Sequence, residues 1–418
     1  MTHPEAASRG VLDRRLRLTD AVGVGLAAMV GAGLFVVFAP AAAAAGDHLL
    51  YAVLLAGGIA VANAASSARL AVRYPHSGGT YVYGRERLGI AWGHLAGWAF
   101  VVGKIASCAA MAMTIGVHIL PDSPTVVGIL AVLAVLALNL QGIDRSARVA
   151  LVVVLAVIAV VLVLVVVLLV HAPVTAETAP SGSPSGGWLG LAQAAGFLFF
   201  AFAGYARIAT LGEEVVRPST TIPRAVTISL ALVLGLYLVT AFALSRSFGT
   251  GWVAAREAPL AEAAEISAWP WLGPVLRITA VLSAGGALLA LSPGVSRTVL
   301  AMARDRHLPP VLATLDGPRR LPRRADLVVA ILVIAVIVLV DLRGVIGLSS
   351  FCVLVYYAIA NASAWTLDPR AVTRVVPTVG LLGCLGVGVL LPWQSVLAGV
   401  IVLAIGALIG WARHTTRE

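Results

Sequence analysis

The chain has 418 residues, of which 60% are hydrophobic and only 11% charged, with a mean hydropathy of +0.98. A soluble domain carries about a quarter charged residues, so this composition excludes one and specifies an integral membrane protein built from apolar spans of roughly 20 residues. The net charge of +10 sits in short loops beside those spans, a topogenic pattern that argues against a nucleic-acid partner.

A background of Ala, Val and Leu with 42 glycines suits closely packed helices, whereas a membrane barrel would alternate apolar and polar residues in segments of about ten. The first twenty residues carry Arg9, Arg14, Arg15 and Arg17. The apolar stretch after them is too long and too glycine-rich for a cleaved signal peptide, so the amino terminus is expected to remain. Twelve spans follow, at 20–40, 49–70, 90–118, 124–140, 149–171, 188–211, 222–245, 270–296, 325–341, 344–366, 372–391 and 393–412. Counted loop by loop, 23 of the 28 arginines fall on the side of the two termini, and only Arg246, Arg256 and Arg343 lie in the opposite loops. From this bias both termini are expected in the cytoplasm, and the plasma membrane is the expected location.

The first span holds "VGAGLF" at 30–35 and the sixth "FAFAGYA" at 200–206, each with small residues at mid-depth. Glycine there weakens a helix, and bare backbone in a bilayer is tolerated only where it lines a cavity or is buried in protein. Matched interruptions in spans one and six are what two inverted five-helix repeats give, while close helix packing through small residues accounts for the same glycines. The repeat reading divides the chain into a cytoplasmic segment 1–19, a first repeat 20–171, an external linker 172–187 and a second repeat 188–366, then two further spans in 367–412 and a tail 413–418. The linker, "APVTAETAPSGSPSGGW" with its closing tryptophan, is rich in Pro, Ser, Gly and Thr. The segment 253–271 mixes alanine with charges and ends in tryptophans, so it is expected as an amphipathic helix on the outer surface.

Four cytoplasmic or span motifs carry a resemblance. "RLAVRYPHSGGTYVYGRERLGIAWGHLAGW" at 69–98, with Pro75, Gly78, Gly79, Tyr81, Tyr83, Gly97 and Trp98, is similar to the stretch after the second helix of amino acid permeases of the amino acid–polyamine–organocation superfamily. "GAGLF" at 31–35, "GEEVVRPSTTIPRAV" at 212–226 and "SRTVLAMARDRHLPPVLA" at 296–313 resemble three further signatures of that family, in the same order. The resemblance implies an all-α integral membrane protein of about twelve transmembrane helices, the five-plus-five inverted-repeat transporter fold plus two carboxy-terminal helices, working by alternating access. It implies a small-molecule amino acid as substrate and no cofactor. Many relatives have a glutamate after the glycine-aromatic pair of the sixth helix, whereas this chain reads Gly204, Tyr205, Ala206, Arg207.

A zwitterion at the membrane midplane needs donors for its carboxylate and acceptors for its ammonium, and a broken helix supplies both from its backbone. Gly31, Ala32 and Gly33 are assigned to the carboxylate, and Ala201, Phe202, Ala203 and Gly204 to the amine. Phe200, or Phe202 beside it, is the expected aromatic lid, with Tyr356 and Tyr357 as candidate gates; for these aromatics plain packing is the competing reading.

Lys104 is the only lysine in the chain and lies midway along the third span. It shares a helix face with Ser107, Cys108 and Met111, a small, partly polar stripe expected to meet the bundle interior. A lysine at a helix centre costs about 2.5–3.5 kcal/mol on insertion scales and marks a pathway, relay or internal ion pair. Arginine stays charged in a protein while a desolvated lysine can lose its proton. Three readings of Lys104 stay open: proton coupling, a fixed cation between helices, or a donor to carbonyls of the broken helices. Protons are the expected coupling partner.

Inside the spans the formal charges are Lys104, Arg207 and Arg277, and the nearest acids, Glu213 and Glu214, fall at the cytoplasmic end of span six, where one is a candidate partner for Arg207. With no acid at mid-depth, neutral or acidic amino acids are favoured over arginine or polyamines. His94 and His118, near the ends of span three, read as interfacial or packing residues rather than proton relays, and the "ARDRH" run at 303–307 reads as a solvated loop. The three cysteines, Cys108, Cys352 and Cys384, lack metal-like spacing and read as packing residues, Cys108 also lying beside the pathway. No phosphate loop, metalloprotease motif or Ser-His-Asp set occurs, so neither an ATP-driven pump nor a membrane enzyme is expected, and no metal site. A proton-coupled symporter is the first reading, an exchanger the second and a non-transporting sensor the third; the oligomeric state is not specified.

Overall fold

The described residues of the computed structural model are 16–74, 78–141, 147–171, 186–209, 215–316 and 321–415. They form helices throughout, with two isolated β-bridges, Leu16 to Val215 and Asp316 to Leu321. In chain order the helices are α1 (Leu18–Val30), α2 (Gly33–Val36), α3 (Phe38–Ala45), α4 (Leu49–Arg73), α5 (Thr80–Leu88) and α6 (Ile90–Ile119). Then come α7 (Pro124–Leu140), α8 (Ala147–Val170), α9 (Gly187–Phe202), α10 (Ala206–Ala209), α11 (Pro218–Phe248) and α12 (Thr250–Ala254). The last six are α13 (Pro259–Glu265), α14 (Leu272–Arg304), α15 (Arg323–Leu339), α16 (Leu342–Trp365), α17 (Ala371–Leu390) and α18 (Trp393–Thr415).

Among the described residues ten segments are long and apolar enough to cross a membrane. The two other expected spans are present as shorter helices of 17 residues, α7 and α15, and α15 begins with Arg323, Arg324 and Asp326 in its first turns. The arginine-rich loops meet at one end of the bundle: Val216 N–H donates to Leu16 O at 2.9 Å, and Arg69 donates to Thr373 O at 2.8 Å. At the other end Thr250 donates to Asp47 at 3.1 Å and Ser247 to Leu168 O at 3.1 Å. Of the expected linker, only residues 186–188 and their neighbours from α9 onward are described; 172–185 lie outside the described residues.

The most enclosed helices are α6 and α16, and their contact explains why α6 is built from small residues. Gly103 lies against Cys352 and Val353 of α16, and the hydroxyls of Ser107 and Ser349, 2.8 Å apart, both approach Gly103 O. Small side chains permit that approach, and in a bilayer it is packing and interhelical hydrogen bonds that hold helices together. The outer helices α17 and α18 are the least enclosed, yet α17 is fastened by a buried clasp. Asn361 Nδ2 donates to Asn63 Oδ1 at 2.6 Å, and Cys384 of α17 donates to the same oxygen at 3.3 Å. All three cysteines are buried and free.

The segment 253–271 differs from its expectation. Leu260, Ala261, Ala263 and Ala264 of α13 are buried at 1% exposure or less, so this helix is sunk into the bundle against α2 and α14 instead of lying on the surface. The closing tryptophans, Trp269 and Trp271, are exposed and stacked with ring centroids 6.0 Å apart, and Glu257 and Glu265 are exposed as well.

Candidate functional site

Both expected helix interruptions exist, in different forms. The first helix stops at Val30, turns through Gly31 and Ala32, restarts as α2 and bends again at Val37 before α3. The sixth is tightened instead of opened: a short 3₁₀ turn over Ala203–Tyr205 joins α9 to α10. The two interruptions press on each other. A Cβ at Gly33 would lie 2.6 Å from Ala201 Cβ and 2.7 Å from its Cα, and one at Gly204 only 2.4 Å from the Ala28 carbonyl. Glycine at 33 is therefore required by a backbone-to-backbone approach that no side chain could share.

A helix break leaves carbonyls without intrahelical donors, and in a membrane interior each one needs a partner. Three hydroxyls from three helices supply them. Tyr237 of α11 donates to Met29 O at 2.8 Å, Ser283 of α14 to Gly31 O at 3.0 Å, and Tyr357 of α16 to Ala203 O at 3.2 Å. Ala203, expected to offer its carbonyl to a substrate amine, thus gives it to Tyr357 in this conformation. Gly31, Ala32, Gly33, Ala201 and Phe202 are buried with it.

The aromatic candidates separate. Phe202 is fully buried and held edge-on by Tyr237 at 5.1 Å, a packing role, while Phe200 retains 9% exposure. Tyr357 stacks on Tyr205 at 5.0 Å, and Tyr356 lies edge-on to Tyr357 at 5.2 Å. Phe100 of α6 sits 5.4 Å from Tyr356, and the Lys104 ammonium lies 6.0 Å from the Phe100 ring. Lys104 is buried at 8% exposure, and among the described residues no carboxylate pairs with it. A continuous series of ring contacts therefore runs from the lone lysine to the carbonyl of the sixth-helix interruption. Ser107 turns to Ser349, and Cys108 is fully buried one turn beyond Lys104.

The family model for amino acid permeases matches residues 20–414, nearly the whole chain. The chain belongs to the amino acid permease family. It is 51% identical over 410 residues to an uncharacterised transporter of Mycobacterium tuberculosis, covering 97% of this chain and 93% of that one. It is 25% identical over 429 residues to the branched-chain amino acid permease of Bacillus subtilis, covering 95% and 92%. A cationic amino acid transporter, number 7, chloroplastic, of Arabidopsis thaliana is 26% identical over 392 residues, covering 87% of this chain and 67% of its own. The chain is thus a multi-pass membrane transporter of amino acids and not an enzyme.

At the arginine-rich end of this permease a polar cluster joins parts of the chain that the sequence reading kept apart. Tyr81 O–H donates to Asp305 Oδ2 at 2.5 Å and lies 3.0 Å from His307 Nδ1, and the Arg85 guanidinium is 3.7 Å from the same Asp305 oxygen. The His307 ring meets His94 at 4.9 Å, and His94 Nε2 bonds Gly406 O at 2.8 Å. The "ARDRH" run is therefore no plain solvated loop: it is clasped by α5. Burial first, and then the bond to Asp305, push the Tyr81 phenol well above its ordinary range. The turn into α5 needs Gly79 at φ +55°, and Thr80 N–H is received by Tyr356 O–H at 3.1 Å, which ties this loop to the ring series. Pro75 of the same motif, like Glu213 and Glu214, lies outside the described residues.

At the arginine-poor end a cavity of about 500 Å³ opens beside α2 and α3. Its walls include Val36, Pro40, Met113, Val117 and Ile346, with Arg256, Glu257, Asp341 and Arg343 among its charged residues. His118 stands near this end, Nδ1 on Thr114 O at 2.9 Å and its ring 5.8 Å from Phe35. The sequence reading missed Tyr237, Ser283, Asp305 and His307. Ser283 and Tyr237 sit in otherwise apolar spans, a signal that marks the helix but not the carbonyl it serves.

Proposed function

We propose that this permease is a secondary active transporter that takes up a neutral or acidic amino acid, driven by protons, by alternating access of two inverted five-helix repeats, 20–171 and 188–366, joined by the 172–187 linker and followed by 367–412. The supporting observation is the back-to-back meeting of the two helix interruptions, Gly33 on Ala201, with three carbonyls beside them, of Met29, Gly31 and Ala203, held by hydroxyls from three different helices. Such hydroxyls can be exchanged for substrate: the ammonium takes the Ala203 and neighbouring carbonyls when Tyr357 swings away, and the amides of Gly31, Ala32 and Gly33 receive the carboxylate. The arginine-rich end, with both termini, faces the cytoplasm of a plasma-membrane protein. Phe200 covers the bound side chain.

Lys104 couples transport to protons. It is the lone lysine, buried, without a carboxylate partner among the described residues, and linked through Phe100 and Tyr356 to Tyr357. Desolvated lysine can exchange its proton where arginine cannot. The relatives' names divide between branched-chain and cationic substrates. The side chains bonded to the interruptions, Tyr237, Ser283 and Tyr357, are neutral hydroxyls, which favours a substrate without a cationic side chain. The test is uptake of a labelled amino acid panel into proteoliposomes with and without an inward proton gradient. Gradient-driven accumulation of a neutral or acidic amino acid is expected. Uptake that requires internal amino acid and ignores the gradient would make the protein an exchanger, and uptake of none would end the transport reading.

A further inference from the structure

We infer that the cavity at the arginine-poor end is an outer docking site for zwitterionic α-amino acids with apolar side chains, in which Arg343 takes the carboxylate and Asp341 or Glu257 the ammonium. The inference rests on the amino acid transport reading and adds to it a second site, separate from the helix interruptions.

The first argument is topogenic. Of 28 arginines few stand at this end, namely Arg246, Arg256 and Arg343 in or beside its loops and Arg277 paired with Glu265 near the start of α14, and basic residues here oppose correct insertion. Two of them, Arg256 and Arg343, line one cavity. Arg256 is already engaged, 3.2 Å from Glu262 and stacked 4.9 Å over Trp252. Arg343 forms no ion pair among the described residues; its guanidinium lies 5.4 Å over the Phe197 ring. Cation–π contact with one face of the guanidinium steadies the group while its N–H fork stays available, and that fork matches a carboxylate in a bidentate way.

The second argument is composition. Asp341 and Glu257 line the cavity with the two arginines, so the charged wall is balanced, as a zwitterion requires. Asp341 Oδ1 caps α16 by accepting from Gly344 N–H at 3.3 Å, which leaves Oδ2 for an ammonium. Other lining residues, Val36, Met113, Val117 and Ile346, are apolar and suit an aliphatic side chain. A volume of about 500 Å³ lies within the range of small-molecule sites.

The third argument is position. Val36 is one turn beyond Gly33, so a ligand here waits directly outside the first interruption. Phe197 belongs to α9, which leads into the second interruption, and Arg343 opens α16, which carries Tyr356 and Tyr357. A ligand on Arg343 therefore bears on both helices whose contact closes the central site.

The experiment uses the full-length protein in proteoliposomes, with leucine as probe and leucinamide as its analogue without a carboxylate. For Arg343→Gln the KM for leucine is expected to rise tenfold or more with kcat within twofold of the native value. Arg343→Lys should recover part of that loss. The preference for leucine over leucinamide in competition should collapse in Arg343→Gln. An unchanged KM, or a fall in kcat alone, would overturn the docking site while native uptake stays intact; native transport of glutamate but not leucine would overturn its apolar assignment. Absence of any native amino acid uptake would instead overturn the transport reading on which the site rests. A measurement without variants covers the case where Arg343→Gln misfolds. Leucine should slow modification of Arg343 by phenylglyoxal, read by mass spectrometry, at least fivefold more than leucinamide does, and equal rates with both would refute the assignment.

Discussion

Tyr81 and Asp305 meet at the arginine-rich end of the permease across 224 residues of sequence, the phenol donating to Oδ2 at 2.5 Å with Arg85 at 3.7 Å from the same oxygen. Tyr81 stands in the first turn of α5 and Asp305 caps the end of α14, so the bond ties these two helices together. Tyr81→Phe keeps the ring, which fills the space over Gly97, and removes only the donor. A hydrogen bond to a charged group contributes about 1.5–3 kcal/mol, and the half-buried setting places this one near the lower figure. Amide exchange over Thr80–Leu88 is expected to quicken about tenfold in Tyr81→Phe, with the exchange of α6 unaltered.

The same bond has a pH signature. Because burial and Asp305 raise the Tyr81 pKa, the folded protein favours the neutral phenol. Its contribution is then fully present below the unfolded value of about 10 and is lost as pH rises through the raised folded value. Exchange over Thr80–Leu88 in the native protein should stay level from pH 6 to 9 after correction for intrinsic rates and rise only in strong alkali. Tyr81→Phe should show no such alkaline rise.

Gly33→Ala should stop transport. The new Cβ would lie 2.7 Å from Ala201 Cα, and a backbone atom cannot swing aside as a side-chain tip can. Overpacking of a dense core costs about 1–3 kcal/mol, and here the strain falls on the meeting of the two interruptions. Gly235→Ala is the control, since a Cβ there meets nothing within 4 Å. Native uptake by Gly33→Ala would show that the two interruptions need not touch.

The carbonyl caps give a graded test. Tyr237→Phe leaves Met29 O buried without its donor, a loss of about 1–3 kcal/mol. Ser283→Ala does the same at Gly31 O, at the turn itself. Tyr237→Phe is expected to lower thermal stability with KM little changed, because Met29 belongs to the helix below the interruption. Ser283→Ala should change KM for the transported amino acid, since Gly31 stands among the residues assigned to its carboxylate.

The sequence made the helical spans and their ends legible because lipid imposes long apolar runs and the arginines mark one side. The stripe of Lys104, Ser107 and Cys108 was legible for a related reason: three small or polar groups on one face of an apolar helix have no stable place in lipid. What sequence could not supply was pairing at a distance. "GRERL" and "ARDRH" each look solvated alone, and only tertiary contact turns Tyr81, Asp305 and His307 into a clasp. Likewise α13 has the charge pattern of a surface helix, yet Leu260 and its alanines are small enough to sink against α2. The sixth helix tightens instead of opening because Tyr357 reaches Ala203 O from α16, a partner 154 residues away.

Lys104 supplies the sharpest test, because its chemistry and its charge can be separated. Lys104→Arg preserves a cation beside Phe100 but removes a group able to give up its proton; Lys104→Ala removes both. If Lys104 carries the proton, both variants should lose accumulation against a gradient while still equilibrating or exchanging substrate. A fixed cation predicts a different pattern, in which Lys104→Arg accumulates substrate like the native protein and Lys104→Ala does not. A lysine that merely braces carbonyls predicts lowered thermal stability in Lys104→Ala with gradient dependence intact. Paired proteoliposome uptake with and without an inward proton gradient, together with thermal unfolding of each variant, distinguishes the three, and the coupling assignment stands only on the first pattern.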